Sequence, residues 1–299
     1  MATFEVTHMA KTHNSWMRSP NMSKYFVTHC RGRITDKTPT TESWLHVLRF
    51  LQFPISEYDK SRVLLGVLDR HGKVVVKIGS TSDIQNEFTI SNSLRNSKGF
   101  VKYICSFACE DDFRAVTEHT SLCKGPGDSM NVIVMPYFPL GSLALYKWNT
   151  DSIHLLHSCL KHSFLSVVSE FHTSGFIHGD FHAGNVLLKQ TKQKSLSYSI
   201  HGIGVFQDIP TYGIRTWIMD YEKSRFVRPS NPYEEMVAWN DFSYDITKFF
   251  MFLKETISIN LSTVQPISMY VGKLNISGKR MSYSDVGHIL QLIEGIRLM

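Results

Sequence analysis

The residues best suited to chemistry lie in one eight-residue run, His178-Gly179-Asp180-Phe181-His182-Ala183-Gly184-Asn185. A carboxylate and a side-chain amide five positions apart in a tight loop are what phosphoryl transfer asks for. The Asp180 carboxylate would orient an attacking hydroxyl and accept its proton. The Asn185 amide oxygen would hold a magnesium ion on the phosphates. The metal needs a second carboxylate. Asp220 follows the apolar Trp217-Ile218-Met219, where a strand would deliver it. Upstream, Val74-Val75-Val76-Lys77 has the form of a strand carrying one lysine into a cleft, and Glu87, ten residues on, could pair with that lysine.

A competing reading starts from His178, Asp180 and His182. Their period of two would put all three on one face of a strand, as the ligands of a metal-dependent hydrolase. Such a site needs further His or Asp ligands at a recognisable spacing, and the sequence supplies none. It also leaves Asn185 and Lys77 unexplained. His178 is read more economically as a hydrogen-bonded core histidine that shapes the loop, and His182 is divided between loop packing and a phosphate contact.

These residues need elements to position them. Residues 62–78 read as two strands around a turn at Asp69–Gly72. A helix then starts at a capping-box pattern, Ser82 with Gln85, with Glu87, Ile90 and Leu94 on one face. Residues 100–109 and 131–136 read as strands, and Asn131–Phe138 runs on into a connecting segment. From about 150 the texture turns helical. Ile153, Leu156, Leu160, Phe164, Val167 and Phe171 recur at helical spacing, and Gly175 stops them. Two short strands, 176–177 and 186–188, bracket the loop. Residues 190–217, rich in Ser, Lys and Gly, read as an insertion, with a β-hairpin as one form it could take. Ile246, Phe249, Phe250 and Leu253 mark a second buried helix. The expectation is an α+β protein with a β-rich first half and a helical second half.

Composition narrows the class. With 42% hydrophobic residues, 299 residues can bury a sizeable core, which excludes a disordered chain. No apolar run approaches the roughly 18 residues of a membrane span, and the first residues lack the apolar core of a signal peptide. No membrane partner is therefore expected. The five cysteines (30, 105, 109, 123 and 159) form no recurring C-x-x-C pair and read as reduced thiols in an intracellular protein. The net charge of +6 fits nucleotide phosphates, an acidic substrate or nucleic acid. The basic residues are scattered, which argues against a dedicated nucleic-acid surface.

The phrases NEFTISNSL, GFVKYICSF, VIVMPYFPLGSL, FIHGDFHAGNVLL and IPTYGIRTWIMDYEKS together resemble the protein-kinase fold, and most closely the serine/threonine protein kinases of large DNA viruses. The resemblance covers roughly residues 60–260. It implies a bilobal fold: an extension of unclear role over 1–55, an N-lobe over 56–137, and a C-lobe over 138–299 carrying the 190–217 insertion. It implies ATP and Mg2+ as cofactors and a Ser or Thr hydroxyl of a protein as acceptor. Asp180 would be the catalytic base, Asn185 and Asp220 the magnesium ligands, Lys77 the contact to the α- and β-phosphates and Glu87 its partner. Met135 would be the gatekeeper, the Phe138 backbone would meet the adenine, Val63 would lie over the nucleotide, and Asp245 would brace the catalytic loop. A viral origin would place the protein in the cytoplasm of an infected cell or in the virion.

The chain departs from the kinase pattern in four places. Ser56, Tyr58 and Ser61 stand where the G-x-G-x-x-G loop has glycines, so the cover over the phosphates must differ. H-R-D is His178-Gly179-Asp180, with His182 where such kinases carry a lysine. D-F-G is Asp220-Tyr221-Glu222. Only 24 residues separate Asp220 from Asp245, and A-P-E is absent. His-Gly-Asp-Phe-His and the short segment favour, as an alternative, a small-molecule kinase of the aminoglycoside-phosphotransferase type. The lost glycines favour a pseudokinase scaffold, against which stands the retention of Lys77, Asp180, Asn185 and Asp220 together.

Overall fold

The computed structural model describes residues 27–31, 44–58, 61–68, 72–108, 130–276 and 281–298. These fall into two compact units. The first takes the described residues through Gln85 and those of Tyr103–Tyr137; the second takes Asn86–Lys102 and the described residues from Phe138 onward. Residues 86–102, assigned to the N-lobe from sequence, therefore belong with the second unit.

The first unit is a six-stranded antiparallel sheet in the order β1-β2-β3-β4-β6-β5. Its strands are β1 (Val27–Arg31), β2 (Trp44–Tyr58), β3 (Ser61–Leu68), β4 (Gly72–Ser80), β5 (Cys105–Ala108) and β6 (Met130–Pro136). Two of them come from the segment 1–55, so part of that extension is sheet. The stretch 56–63 is the closing end of the β2–β3 hairpin, where Ser56 pairs with Val63 and Tyr58 with Ser61; Asp59 and Lys60 lie outside the described residues.

Alternation along β4 decides the two faces of the sheet. Leu64, Val76, Val134 and Cys105 form one cross-strand row, every member buried. The neighbouring row on the opposite face is Val63, Lys77 and Ile133, followed by Leu65, Val75 and Met135. Burial of Cys105 pushes its thiol up to about 12, so it stays an inert, protonated core group. The strand expected over 100–109 is shorter than that span, and Cys109 lies outside the described residues.

Helix α1 (Thr81–Ser93) starts two residues earlier than the Ser82–Gln85 pattern suggested. Ser80 Oγ accepts from the Asp83 N–H at 3.3 Å and donates to Asp83 Oδ2 at 2.6 Å, so Ser80 and Asp83 take the capping roles. The later turns of α1 bury Glu87, Ile90 and Ser91.

The second unit is built on α2 (Ile153–Ser174) and α3 (Pro232–Ile257), with α4 (Leu261–Ile276) and α5 (Tyr283–Glu294) beyond them. The α2 stripe is buried at Leu156, Leu160, Phe164 and Val167, and the helix ends where the Gly175 N–H bonds the Phe171 carbonyl. In α3, Ile246, Phe249, Phe250 and Leu253 are fully buried. Asn231 caps α3 by accepting from the Glu234 N–H at 2.9 Å, ahead of Pro232.

The strands flanking the HGDFHAGN run do not pair with each other. Strand β7 (Phe176–Ile177) pairs with β12 (Arg225–Phe226), and β8 (Val186–Gln190) pairs with β11 (Ile214–Ile218). The 190–217 stretch contains most of β11 and a hairpin of β9 (Ser195–Ile200) and β10 (Gly204–Pro210). That hairpin lies on α2. His162 meets the Tyr198 hydroxyl at 2.9 Å and the Pro210 carbonyl at 3.0 Å, and the Ser169 hydroxyl donates to Ser199 O. Among the described residues, no helix is long and apolar enough to cross a membrane.

Candidate active site

The loop between β7 and β8 is held from beneath by α3. Asp245, buried one helical turn before Phe249, accepts the N–H groups of His178 and Gly179 on a single oxygen at 2.9 Å each. One turn on, the ring of Phe249 stacks on Phe181, with centroids 4.3 Å apart. Gly179 adopts φ +76, and a Cβ there would meet the Lys223 carbonyl oxygen at 2.4 Å, so only glycine fits the turn. His178 is the core histidine anticipated from sequence. Its Nε2 bonds the Met219 carbonyl at 2.9 Å, its own carbonyl accepts from the Ser224 hydroxyl, and burial pulls its pKa down against the attraction of Asp245. Burial in turn raises the Asp245 carboxyl.

The clamped loop presents Asp180 with both carboxylate oxygens engaged. Oδ1 takes the ammonium of Lys248, and Oδ2 takes that of Lys223 at 2.9 Å. Partial burial pushes the Asp180 carboxyl upward, but the two lysines outweigh it and bring the pKa down to about 2. His182 Nε2 stands 4.0 Å from Oδ1, while its Nδ1 accepts the Gly184 N–H at 3.1 Å. Burial lowers the pKa of His182.

Asn185 is buried and ties the loop to the strand that delivers Asp220. Its side-chain N–H donates to the Asp180 carbonyl at 3.0 Å, and its own carbonyl accepts from the Met219 N–H at 2.9 Å. Asp220, immediately after, has φ +66, a left-handed conformation that costs a non-glycine residue about 1–3 kcal/mol. Carboxylate oxygens of Asp220, Glu87 and Glu222 all lie within 4.8 Å of one another. Tyr221 anchors this corner. Its hydroxyl, fully buried, lies 2.6 Å from the Ile218 carbonyl and 3.0 Å from that of Val101. Asn86 donates to the Glu222 carbonyl at 3.1 Å. Residues 86–102 are thus stitched to the turn after β11, which is why Glu87 stands beside Asp220.

The remaining sequence candidates are distributed between the units. Lys77 and Val63 are cross-strand neighbours in the first unit, and Met135 lies one row away on the same sheet face, opposite Val75. Phe138 belongs to the second unit. It is buried, its ring is 6.2 Å from that of Trp217, and its carbonyl accepts the Gly141 N–H. Sequence reasoning missed Lys223 and Lys248. A signal for Lys248 existed, because it lies at i+3 from Asp245 and so on the same side of α3.

No family model matches the chain. Curated proteins match it over short stretches, serine/threonine-protein kinase haspin of two mammals among them. Mouse serine/threonine-protein kinase haspin is 47% identical over 53 residues, 18% of this chain and 7% of that protein. Its bovine counterpart is 41% identical over 70 residues, 23% of this chain and 8% of that protein. The matched stretches are thus less than a tenth of either haspin. They support a kinase-like relationship.

Proposed function

We propose that this chain transfers the γ-phosphoryl group of ATP to a Ser or Thr hydroxyl of a protein. The observation that carries this reading is the linkage of three groups. Asn185 is bonded on one side to Asp180 and on the other to Met219, next to Asp220, so a candidate base and two candidate metal ligands belong to one hydrogen-bonded corner. The short haspin matches point the same way.

In this reading Asp180 accepts a hydrogen bond from the acceptor hydroxyl and receives its proton as the new O–P bond forms. Clamping by Asp245 and Phe249 fixes the Asp180 backbone, so little reorganisation is needed at the moment of transfer. With its side-chain N–H engaged by the Asp180 carbonyl, Asn185 has its amide oxygen to offer a cation. Asp220 has Glu87 and Glu222 alongside, and with the Asn185 amide oxygen they would make an all-oxygen donor set that suits a hard ion such as Mg2+. When bound, that ion would neutralise charge on the phosphates. Lys77 is assigned the α- and β-phosphates. Val63 and Met135, on the Lys77 face of the sheet, are assigned the nucleotide, and the Phe138 backbone the adenine. The resemblance to viral kinases further suggests work inside an infected cell or carriage in the particle.

The test is γ-labelled Mg-ATP with the full chain, using casein and protamine as acceptors and Asp180→Asn alongside. Label that enters protein and is lost in the variant supports the reading. The short run from Asp220 to α3 favours a second reading, a small-molecule acceptor. Label on an aminoglycoside such as kanamycin and none on protein would select it. No transfer and no thermal stabilisation by Mg-ATP would leave a scaffold.

A further inference from the structure

A base that must accept a proton here sits under two ammonium groups, and the two are not equivalent. Lys223 follows directly after Asp220-Tyr221-Glu222 and its side chain is 62% exposed, against 29% for Lys248. Lys248 is also held at its root. Asp245 on one side of it grips the N–H groups of His178 and Gly179, and Phe249 on the other stacks on Phe181. The helix and the loop are thus tied to each other on both sides of Lys248, whose ammonium sits on the Asp180 carboxylate.

Resting on the phosphotransferase reading, we propose that Lys248 is a catalytic residue whose ammonium bridges Oδ1 of Asp180 and the oxygens of the phosphoryl group in flight. Reach supports this assignment. An acceptor hydroxyl that gives its proton to Asp180 must lie within hydrogen-bond distance of that carboxylate, about 3 Å. The phosphorus it attacks lies about 3–3.5 Å beyond the hydroxyl oxygen. A lysine already on the same carboxylate is then within side-chain reach of the equatorial phosphoryl oxygens, where charge must be stabilised during transfer. The exposed Lys223 yields Oδ2 to the incoming hydroxyl at small cost, because an exposed ion pair is worth little. Lys248 keeps Oδ1. The hydroxyl proton passes to Asp180, the acceptor oxygen bonds to phosphorus, the β–γ bridging bond breaks, and its electron pair leaves on ADP. Lys248 gains and loses no proton.

The experiment is steady-state transfer from Mg-ATP to the acceptor labelled by the wild-type chain. Lys248→Met, Lys248→Arg and Lys223→Met are compared, with melting curves for each. A group that acts on the transition state is expected to affect kcat. Lys248→Met should lose on the order of 100-fold in kcat with the KM for ATP within about threefold of wild type. Lys248→Arg should recover at least a tenth of the wild-type rate, since it restores the cation. Lys223→Met should lose no more than a few-fold. Lys248→Met transferring at the wild-type rate overturns the assignment while leaving the phosphotransferase reading standing. So does equal loss in the Met and Arg variants with a lowered melting temperature in both, which marks a structural role. A folded wild type that transfers no phosphate to any acceptor overturns the phosphotransferase reading, and the role of Lys248 with it.

Discussion

The Asp245 carboxylate on α3 reaches the backbone of His178. Its Oδ2 accepts the His178 N–H at 2.9 Å, and the next N–H, from Gly179, falls on the same oxygen. This one acceptor satisfies two donors of the turn that carries Asp180. Asp245→Ala leaves both donors without a partner, at about 1–3 kcal/mol each. A total loss of about 2–6 kcal/mol in unfolding free energy is expected, measurable in denaturant titrations. Asp245→Asn keeps an acceptor oxygen and should lose less. An alanine variant as stable as the wild type would mean that the loop is held by other groups.

Gly179 tests the same turn from its other side. A methyl group there must share space with the Lys223 carbonyl oxygen and adopt φ +76. Gly179→Ala should destabilise by about 1–2 kcal/mol from the left-handed conformation, with the steric displacement in addition. Because this turn carries Asp180 as its next residue, transfer activity should fall along with the melting temperature. Unchanged thermal stability would contradict the geometry.

His162 predicts how stability depends on pH. Burial between α2 and the β9–β10 hairpin lowers its pKa from 6.5 to about 4. In the unfolded chain it protonates near pH 6.5; in the folded chain it resists until about pH 4. The unfolded state therefore binds more protons in this window. Stability is full above pH 6.5, falls as pH drops toward 4, and levels off below that. The contribution is on the order of 3 kcal/mol. Buried His157 and His178 are shifted downward too, so they act with the same sign. The slope of unfolding free energy between pH 6.5 and 4 should become shallower in His162→Gln. An unchanged slope would show that this ring is not the titrating group.

Asp220 addresses the metal requirement of the proposed activity. Asp220→Asn keeps the size of the side chain but removes one charge from the set formed with Glu87 and Glu222. Transfer should then need at least tenfold more Mg2+ for half-maximal rate, and chelation of divalent ions should stop transfer in both proteins. The melting temperature should change little or rise, since one of three adjacent carboxylates is neutralised. A variant with the same Mg2+ dependence as wild type would remove Asp220 from the metal site.

Much of the local structure was legible along the chain. The α2 and α3 stripes announce themselves because their large apolar residues recur at helical spacing, although the structure buries α2 on nearly every side, small and polar residues such as Ser158, Ser163 and Ser166 included. The alternation in Val74–Ile78 likewise separates a buried face from the one carrying Lys77. The capping of α1 was misplaced by two residues, since Ser80 and Ser82 both offer a hydroxyl and only the path of the preceding strand selects between them. The partners of β7 and β8 could not be read. The two residues of β7 are too few to specify a register, and both strands found mates beyond residue 213, far along the chain.

By itself the sequence determined the loop that bears Asp180 and Asn185, because five residues of chain hold the two groups within reach of each other. Tertiary structure alone decided what surrounds them. Lys223 and Lys248 stand 43 and 68 residues from Asp180 and belong to no motif with it. Glu87 joins Asp220 because the Tyr221 hydroxyl and the Phe100–Ile218 bridge tie residues 86–102 to the turn after β11. Charge at a site sums over everything the fold brings near, and that sum depends on distance in space, which covalent order does not set.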